Sequence, residues 1–113
     1  MECNYLFLAE PGVGNHAPDD GIVSKTLHSD PQTKIILFCF APGQELSAHT
    51  APFPATLQFV RGEALLKLGG DEVEAKAGSF AYMAAHLEHA IKAKTEVVML
   101  LTMMKSAREK ADQ

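Results

Sequence analysis

Two histidines, His49 and His89, with His86 three residues before the second, are the side chains here best suited to site chemistry. Imidazole binds transition metals through a lone pair and moves protons near neutral pH. His49 follows a Pro42-Gly43 turn and the run QELSA. His89 closes the stretch AGSFAYMAAHLEH. A bound divalent ion needs several convergent donors, because together they must offset its lost hydration; imidazole and carboxylate suit zinc, iron, manganese, nickel or copper. His16 and His28 sit among turn residues and are read as solvated, with no role. Cys39 lies in the apolar run IILFCF and reads as a small buried hydrophobe, while Cys3 lies close to the N-terminus. Two cysteines make neither a disulfide framework nor a zinc-finger spacing. Met1, Met83, Met99, Met103 and Met104 cluster toward the C-terminal end and read as core or interface filling, not as a copper box. Tyr82 shares a strand face with Phe80. Packing is preferred there over a phenol paired with a histidine for acid–base work.

The elements that must position these residues are short strands. Turn signals recur at 11–14 (PGVG), 19–21 (DDG), 29–31 (SDP), 42–43 (PG), 61–63 (RGE), 69–70 (GG) and 77–78 (AG), with apolar-rich segments between them. That spacing predicts an all-β sandwich or barrel. Strands are expected near 4–9, 21–28, 33–40, 44–49, 55–61, 63–68, 71–76, 79–83, 88–93 and 95–104. Gly69-Gly70, between ALLKL and DEVEA, predicts a two-residue hairpin, since glycine supplies the positive φ of a primed turn. Residues 51–54 hold two prolines, which lack the N–H a central strand needs, so this is an edge or mouth loop with Phe53 placed to cover an opening. Leu57 and Phe59, at period two from Ala55, should point inward. On the same logic Gln58 faces the other way. Glu88 is expected to point away from His89. The runs 35–40 and 97–101 are apolar on both faces, so something covers their outer side. Either terminal segments fold over them or a second subunit does, and the second reading is preferred. A homodimer is therefore expected, since two-fold pairing buries one patch on both chains.

Composition narrows the function classes. A chain of 113 residues, 47% hydrophobic and 21% charged, suits one domain with its own core. Its extent is read as 1–113, with a barrel core at about 20–104, an N-terminal strand and loop over 1–19, and a tail over 105–113. The net charge of −4, without a Lys/Arg cluster, argues against a nucleic-acid surface. The start MECNYLFLAEPG lacks the basic and apolar regions of a signal peptide. The longest apolar stretch, Val97 to Met104, is too short to span a bilayer. A cytoplasmic protein with no membrane contact is the expectation. No P-loop, dinucleotide-binding glycine turn or G-x-S-x-G elbow occurs, so no nucleotide cofactor is expected.

The stretches 43–62 and 77–90 together resemble the two signature motifs of the cupin superfamily, small antiparallel β-barrels that often hold one metal ion. Gly43, the five residues to His49 and the closing Gly62 fit the first motif. Gly78 and His89 fit the second. The resemblance implies an RmlC-like cupin, a conserved jelly roll or double-stranded β-helix, over about 20–104. It places Ala51 at the first motif's second histidine and Ala55 at its glutamate. It also places Ala84 at the second motif's proline and His86 at its glycine. By direct carry-over only His49 and His89 remain as metal ligands. His86 either completes a three-histidine site or lies at the rim as a polar cavity group.

A fold of this kind hosts unrelated activities, so three readings are ranked. The first is a stand-alone barrel binding a small molecule in a cavity lined by His49, Leu57, Phe59, His86 and His89, with weak or no divalent metal. The second is a metal enzyme of dioxygenase or isomerase type using His49, His89 and His86. The third is a metal-free, epimerase-like acid–base catalyst. It lacks the arginine cluster a nucleotide-sugar diphosphate asks for, Arg61 and Arg108 being the only two. Whether the protein is an enzyme stays open. The geometric expectation is that His49 and His89 sit side by side inside the barrel, with His86 at the rim.

Overall fold

The computed structural model describes residues 4–105. Nine antiparallel strands follow one another: β1 (Ile22–Ser29), β2 (Thr33–Phe40), β3 (Glu45–His49), β4 (Ala55–Arg61), β5 (Ala64–Leu68), β6 (Asp71–Ala75), β7 (Phe80–Met83), β8 (His89–Ala93) and β9 (Val97–Met104). They form a five-stranded sheet, β1-β2-β9-β4-β7, and a four-stranded sheet, β3-β8-β5-β6. The expected all-β jelly roll is the fold. The predicted strands after residue 20 are all present, with ends shifted by no more than a couple of residues. The predicted strand at 4–9 is not: that segment is irregular, with Tyr5 and Phe7 exposed. Apolar content gave it strand character, but it pairs with neither sheet. The tail expected over 105–113 lies, beyond Lys105, outside the described residues, as does Cys3.

Inward-facing residues of both sheets make one core. Phe40, Ala55, Leu57, Phe59, Met83, Val97 and Met99 come from the larger sheet, and Ala64, Leu66, Ala75, Ile91 and Ala93 from the smaller. Leu57 and Phe59 are each 1% exposed and point inward as period two requires. Gln58, between them, is exposed. The Gly69-Gly70 turn joins β5 to β6 with Leu68 paired to Asp71, and Gly69 has a φ of 61°.

Gly62 shows why a glycine closes the first motif. Its φ is 93°, and a Cβ there would lie 1.9 Å from the main-chain oxygen of Glu96. Only glycine permits β4 and the start of β9 to approach so closely.

The outer side of β2 and β9 is covered within the chain. Leu37, Cys39 and Val98 form a second buried cluster against Ala17, Leu27, Val60 and Leu100. Ala17 belongs to an N-terminal segment that Arg61 and Glu96 pin down. The Arg61 guanidinium donates to the main-chain oxygens of Gly12 and Asn15 and to Glu96, 2.9 Å away, while the Ala17 N–H donates to Glu96 at 2.8 Å. The Ala17 N–H and the Arg61 guanidinium hold the Glu96 carboxyl below its usual range. The intrachain cover, not the preferred subunit cover, thus accounts for the two-sided apolar runs.

Candidate functional site

β3 and β8 are neighbours, and their ladder ends with His49 opposite His89. A register shift between Leu46 and His49 turns the last residues of β3 so that the two imidazoles meet. Their ring centroids are 4.2 Å apart, with the planes tilted by 58°. His89 is buried at 9% exposure, whereas His49 is exposed at the barrel mouth rather than enclosed.

Both rings are held the same way. His49 Nδ1 lies 2.8 Å from the Ser47 carbonyl oxygen, and His89 Nδ1 lies 2.9 Å from that of Leu87. A carbonyl oxygen only accepts, so each Nδ1 carries the proton and donates it. In the neutral ring Nε2 is left with its lone pair. The main chain thereby fixes tautomer and ring orientation, as it does behind metal-binding imidazoles.

A cavity of about 230 Å³ opens beside the pair. The two histidines supply its polar wall. Ala51 and Phe53 of the proline-containing loop, Ala84 and Leu87 of the β7–β8 loop, and Ala55, Met83, Leu101 and Met103 of the larger sheet supply the rest. Phe53 borders the opening, as expected. Leu57 and Phe59 do not line this cavity. They pack deeper between the sheets, and Phe59 reaches instead an open groove of about 510 Å³ between β6 and β7.

His86 is not brought to the pair. It is exposed, with a φ of 70°, the left-handed conformation that favours glycine. This is the position where the resemblance places a glycine, and the backbone keeps that geometry. The His86 N–H donates to the Ala51 oxygen at 2.7 Å, tying the two mouth loops together. Among the described residues no three His, Cys, Asp or Glu side chains converge as a metal-holding group. Ala51 and Ala55 line the cavity where two further donors would have to be. The residues present therefore do not fit the four-ligand divalent centre the resemblance implies.

The remaining candidates lie elsewhere. Cys39 faces the outer cluster, away from the histidines, and burial pushes its thiol up. Tyr82 and Phe80 are exposed on the outer side of β7, at 59% and 64%, so Tyr82 is neither a partner for the imidazoles nor packed within the chain. Glu88 is exposed. His16 is exposed and accepts from Arg61 at 3.3 Å. His28 belongs to β1, not to a turn, and its Nε2 lies 2.6 Å from Asp30. The wall residues Met83, Leu87, Leu101 and Met103 were not singled out from the sequence as lining. Their place follows from cross-strand register, which period-two alternation within one strand does not carry.

A two-sheet antiparallel barrel with paired histidines from β3 and β8 at one open end defines a small double-stranded β-helix protein with a mouth-side pocket. The family model described as Cupin domain matches residues 36–104, and the chain belongs to that family. Solved structures agree with this RmlC-like barrel. An RmlC-like cupin from Desulfovibrio desulfuricans superposes with a TM-score of 0.79 at 21% identity, over 89% of this chain and 98% of that one. A cupin superfamily protein from Desulfitobacterium hafniense gives 0.75 at 24% identity, over 78% and 81%. A cupin 2 conserved barrel domain protein from Leptotrichia buccalis gives 0.74 at 30% identity, over 78% of this chain and 43% of that one. No curated protein matches the sequence. No helix among the described residues is long and apolar enough to cross a membrane.

Proposed function

We propose that this cupin barrel binds a small organic molecule in the cavity beside His49 and His89, with divalent metal weakly held or absent. One observation carries the reading: two oriented imidazoles face an otherwise apolar pocket in which Ala51 and Ala55 replace donors. A pocket with apolar walls and a few convergent polar groups is the ordinary form of a small-molecule site. With Nδ1 donating to the main chain, Nε2 of a neutral ring is the atom left to accept a hydrogen bond, so the ligand class is a compact, largely apolar molecule presenting a hydroxyl, enol or acid proton. Titration of chelator-treated protein with such fragments, followed by NMR, tests this. Shifts confined to His49, His89, Met83 and Leu101 are expected. Fragments that bind only at the groove between β6 and β7, or none that bind, would sink it.

Pairing as a homodimer belongs to the same reading. Its support is the exposed aromatic surface of β7, an edge strand, and not the runs at 35–40 and 97–101. Sedimentation at micromolar concentration is expected to give a dimer; a freely soluble monomer would remove the proposal. Cytoplasmic residence is supported by the unpaired thiol of buried Cys39, and cell fractionation tests it.

A further inference from the structure

β7 ends the larger sheet and β6 the smaller, with the open groove of about 510 Å³ between them. Among the described residues β7 pairs with β4 alone. The Phe59 N–H donates to the Ser79 carbonyl, and the register continues with Leu57 opposite Ala81 and Ala55 opposite Met83. Bonded residues alternate along an antiparallel ladder, so the N–H and carbonyl groups of Phe80 and Tyr82 turn away from β4, toward the free edge. An edge strand with open main-chain groups and exposed aromatic side chains is a template for another strand. The same chain carries a segment of matching type. Residues 4–9 read NYLFLA and lie outside both sheets, with Tyr5 82% and Phe7 76% exposed. Their tether ends close to that edge. Traced backwards, the pinned N-terminal segment runs from Ala17, over the outer cluster, to Gly12. A Cβ on Gly12 would lie 3.0 Å from a Val60 methyl carbon, and Arg61 donates to the Gly12 carbonyl. Residues 4–9 thus leave the barrel from β4, one strand short of the β7 edge.

From this arrangement we propose that residues 4–9 of one chain add as a strand to the β7 edge of a second copy, and reciprocally. The exchange rests on the homodimer reading and states how the two copies join. In a strand, residues 5 and 7 share one face and residues 6 and 8 the other. Tyr5 and Phe7 then lie on the outer face beside Phe80 and Tyr82, as cross-strand aromatic pairs. Leu6 and Leu8 turn into the groove, which Val73, Ala81 and Phe59 line. Within the single chain the segment stays irregular and the edge unpaired, so the strand comes from the partner. A two-fold axis makes the contact isologous and leaves neither β7 edge open. The area suffices. Burying these four aromatic side chains of both copies, at roughly 150–250 Å² for each complete ring, removes on the order of 1,000 Å² from water. Two leucines from each segment bring the total to the roughly 1,200–2,000 Å² of a stable interface.

The test is sedimentation equilibrium of the full chain beside two double variants, Tyr5→Ser with Phe7→Ser and Phe80→Lys with Tyr82→Lys. All four side chains are exposed in the single chain, so circular dichroism of the barrel should not change. The parent is expected to dimerise. Each variant alone should associate on the order of a hundredfold more weakly, since losing one aromatic anchor of an interface costs on the order of tenfold or more. Mixed one to one, the two variants should pair more tightly than either does alone. The intact segment of the lysine variant then meets the intact edge of the serine variant. In a mixture of isotope-labelled and unlabelled parent, filtered NMR should show Tyr5 and Phe7 rings against Phe80 and Tyr82 of the other chain. A dimer that survives Tyr5→Ser with Phe7→Ser would overturn the exchange and leave the homodimer reading standing. A mixture of variants no tighter than its components, or ring contacts found only within one chain, would do the same. A monomeric parent would remove both.

Discussion

His49 and His89 meet at the end of the β3–β8 ladder with their rings 4.2 Å apart, each Nδ1 committed to the carbonyl two residues before it. The pair supplies two of the four donors of the divalent site that the resemblance implies. The missing half is chemical, since Ala51 and Ala55 carry no donor atoms and leave room in the same cavity.

Restoring donors should therefore restore divalent affinity. Ala51→His with Ala55→Glu fills space that the cavity already offers, though Ala55 is itself buried and the added carboxylate must find room between Met83 and Met103. We expect nickel, cobalt or zinc to pass from substoichiometric to one ion per chain, read by calorimetry. A double variant that folds and still takes up no divalent ion would mean that the two imidazoles are not placed as ligands.

His86 occupies a left-handed backbone position with a φ of 70° and contributes its N–H, not its ring, to the mouth. A non-glycine residue is strained there, by about 1–2 kcal/mol. Replacement by glycine loses part of that gain to chain entropy. His86→Gly is expected to stabilise the fold by roughly 0.5–1 kcal/mol, seen as a midpoint a few degrees higher on thermal melting. Ligand or metal uptake at the His49–His89 pair should not change. A fall in either would make His86 part of the site after all.

The ladder of strands was legible because turn residues punctuate the chain at short intervals and apolar residues alternate between them. Residues 4–9 misled, since apolar content gave them strand character while neither sheet takes them into its ladder. The histidine pair was legible through motif spacing. The rest of the cavity was not: Met83 and Met103 lie twenty residues apart and line one cavity only because β7 and β9 both pair with β4. The outer cover of β2 and β9 was hidden for a related reason. It depends on an ion pair, Arg61 with Glu96, whose partners belong to different strands and loops.

Asp30 gives a pH test of the β1–β2 turn. The His28 hydrogen bond, followed by the N–H groups of Gln32 and Thr33, holds its carboxyl down from 3.8 to about 2. A depressed folded value means stabilisation that is complete above the ordinary carboxylate range and lost as pH falls through the folded one. The parent should thus be more stable than Asp30→Asn at neutral pH, with the difference shrinking between 3.8 and about 2. Because the carboxylate is exposed, salt should reduce the effect. Denaturant midpoints measured across that range check it; a difference that grows on acidification would contradict the assignment.

Arg61 is the pin of the N-terminal cover, so its loss should open the outer cluster. Arg61→Ala removes the donors to Gly12, Asn15 and Glu96 at once, leaving Ala17 held by its own N–H bond to Glu96 and its packing on the outer cluster. Cys39, 4% exposed beneath that cover, reports on it. In a Cys3→Ser background the native thiol should react very slowly with an aromatic disulfide reagent, because burial both blocks access and raises the thiol's pKa. Arg61→Ala should speed that reaction while circular dichroism stays that of an intact barrel. Glu96→Gln, which keeps a carbonyl acceptor for the Ala17 N–H but not the charge, should fall between the two. Equal rates in all three proteins would show that the β1, β4 and β9 side chains around Cys39, and not the pinned segment, keep reagent out.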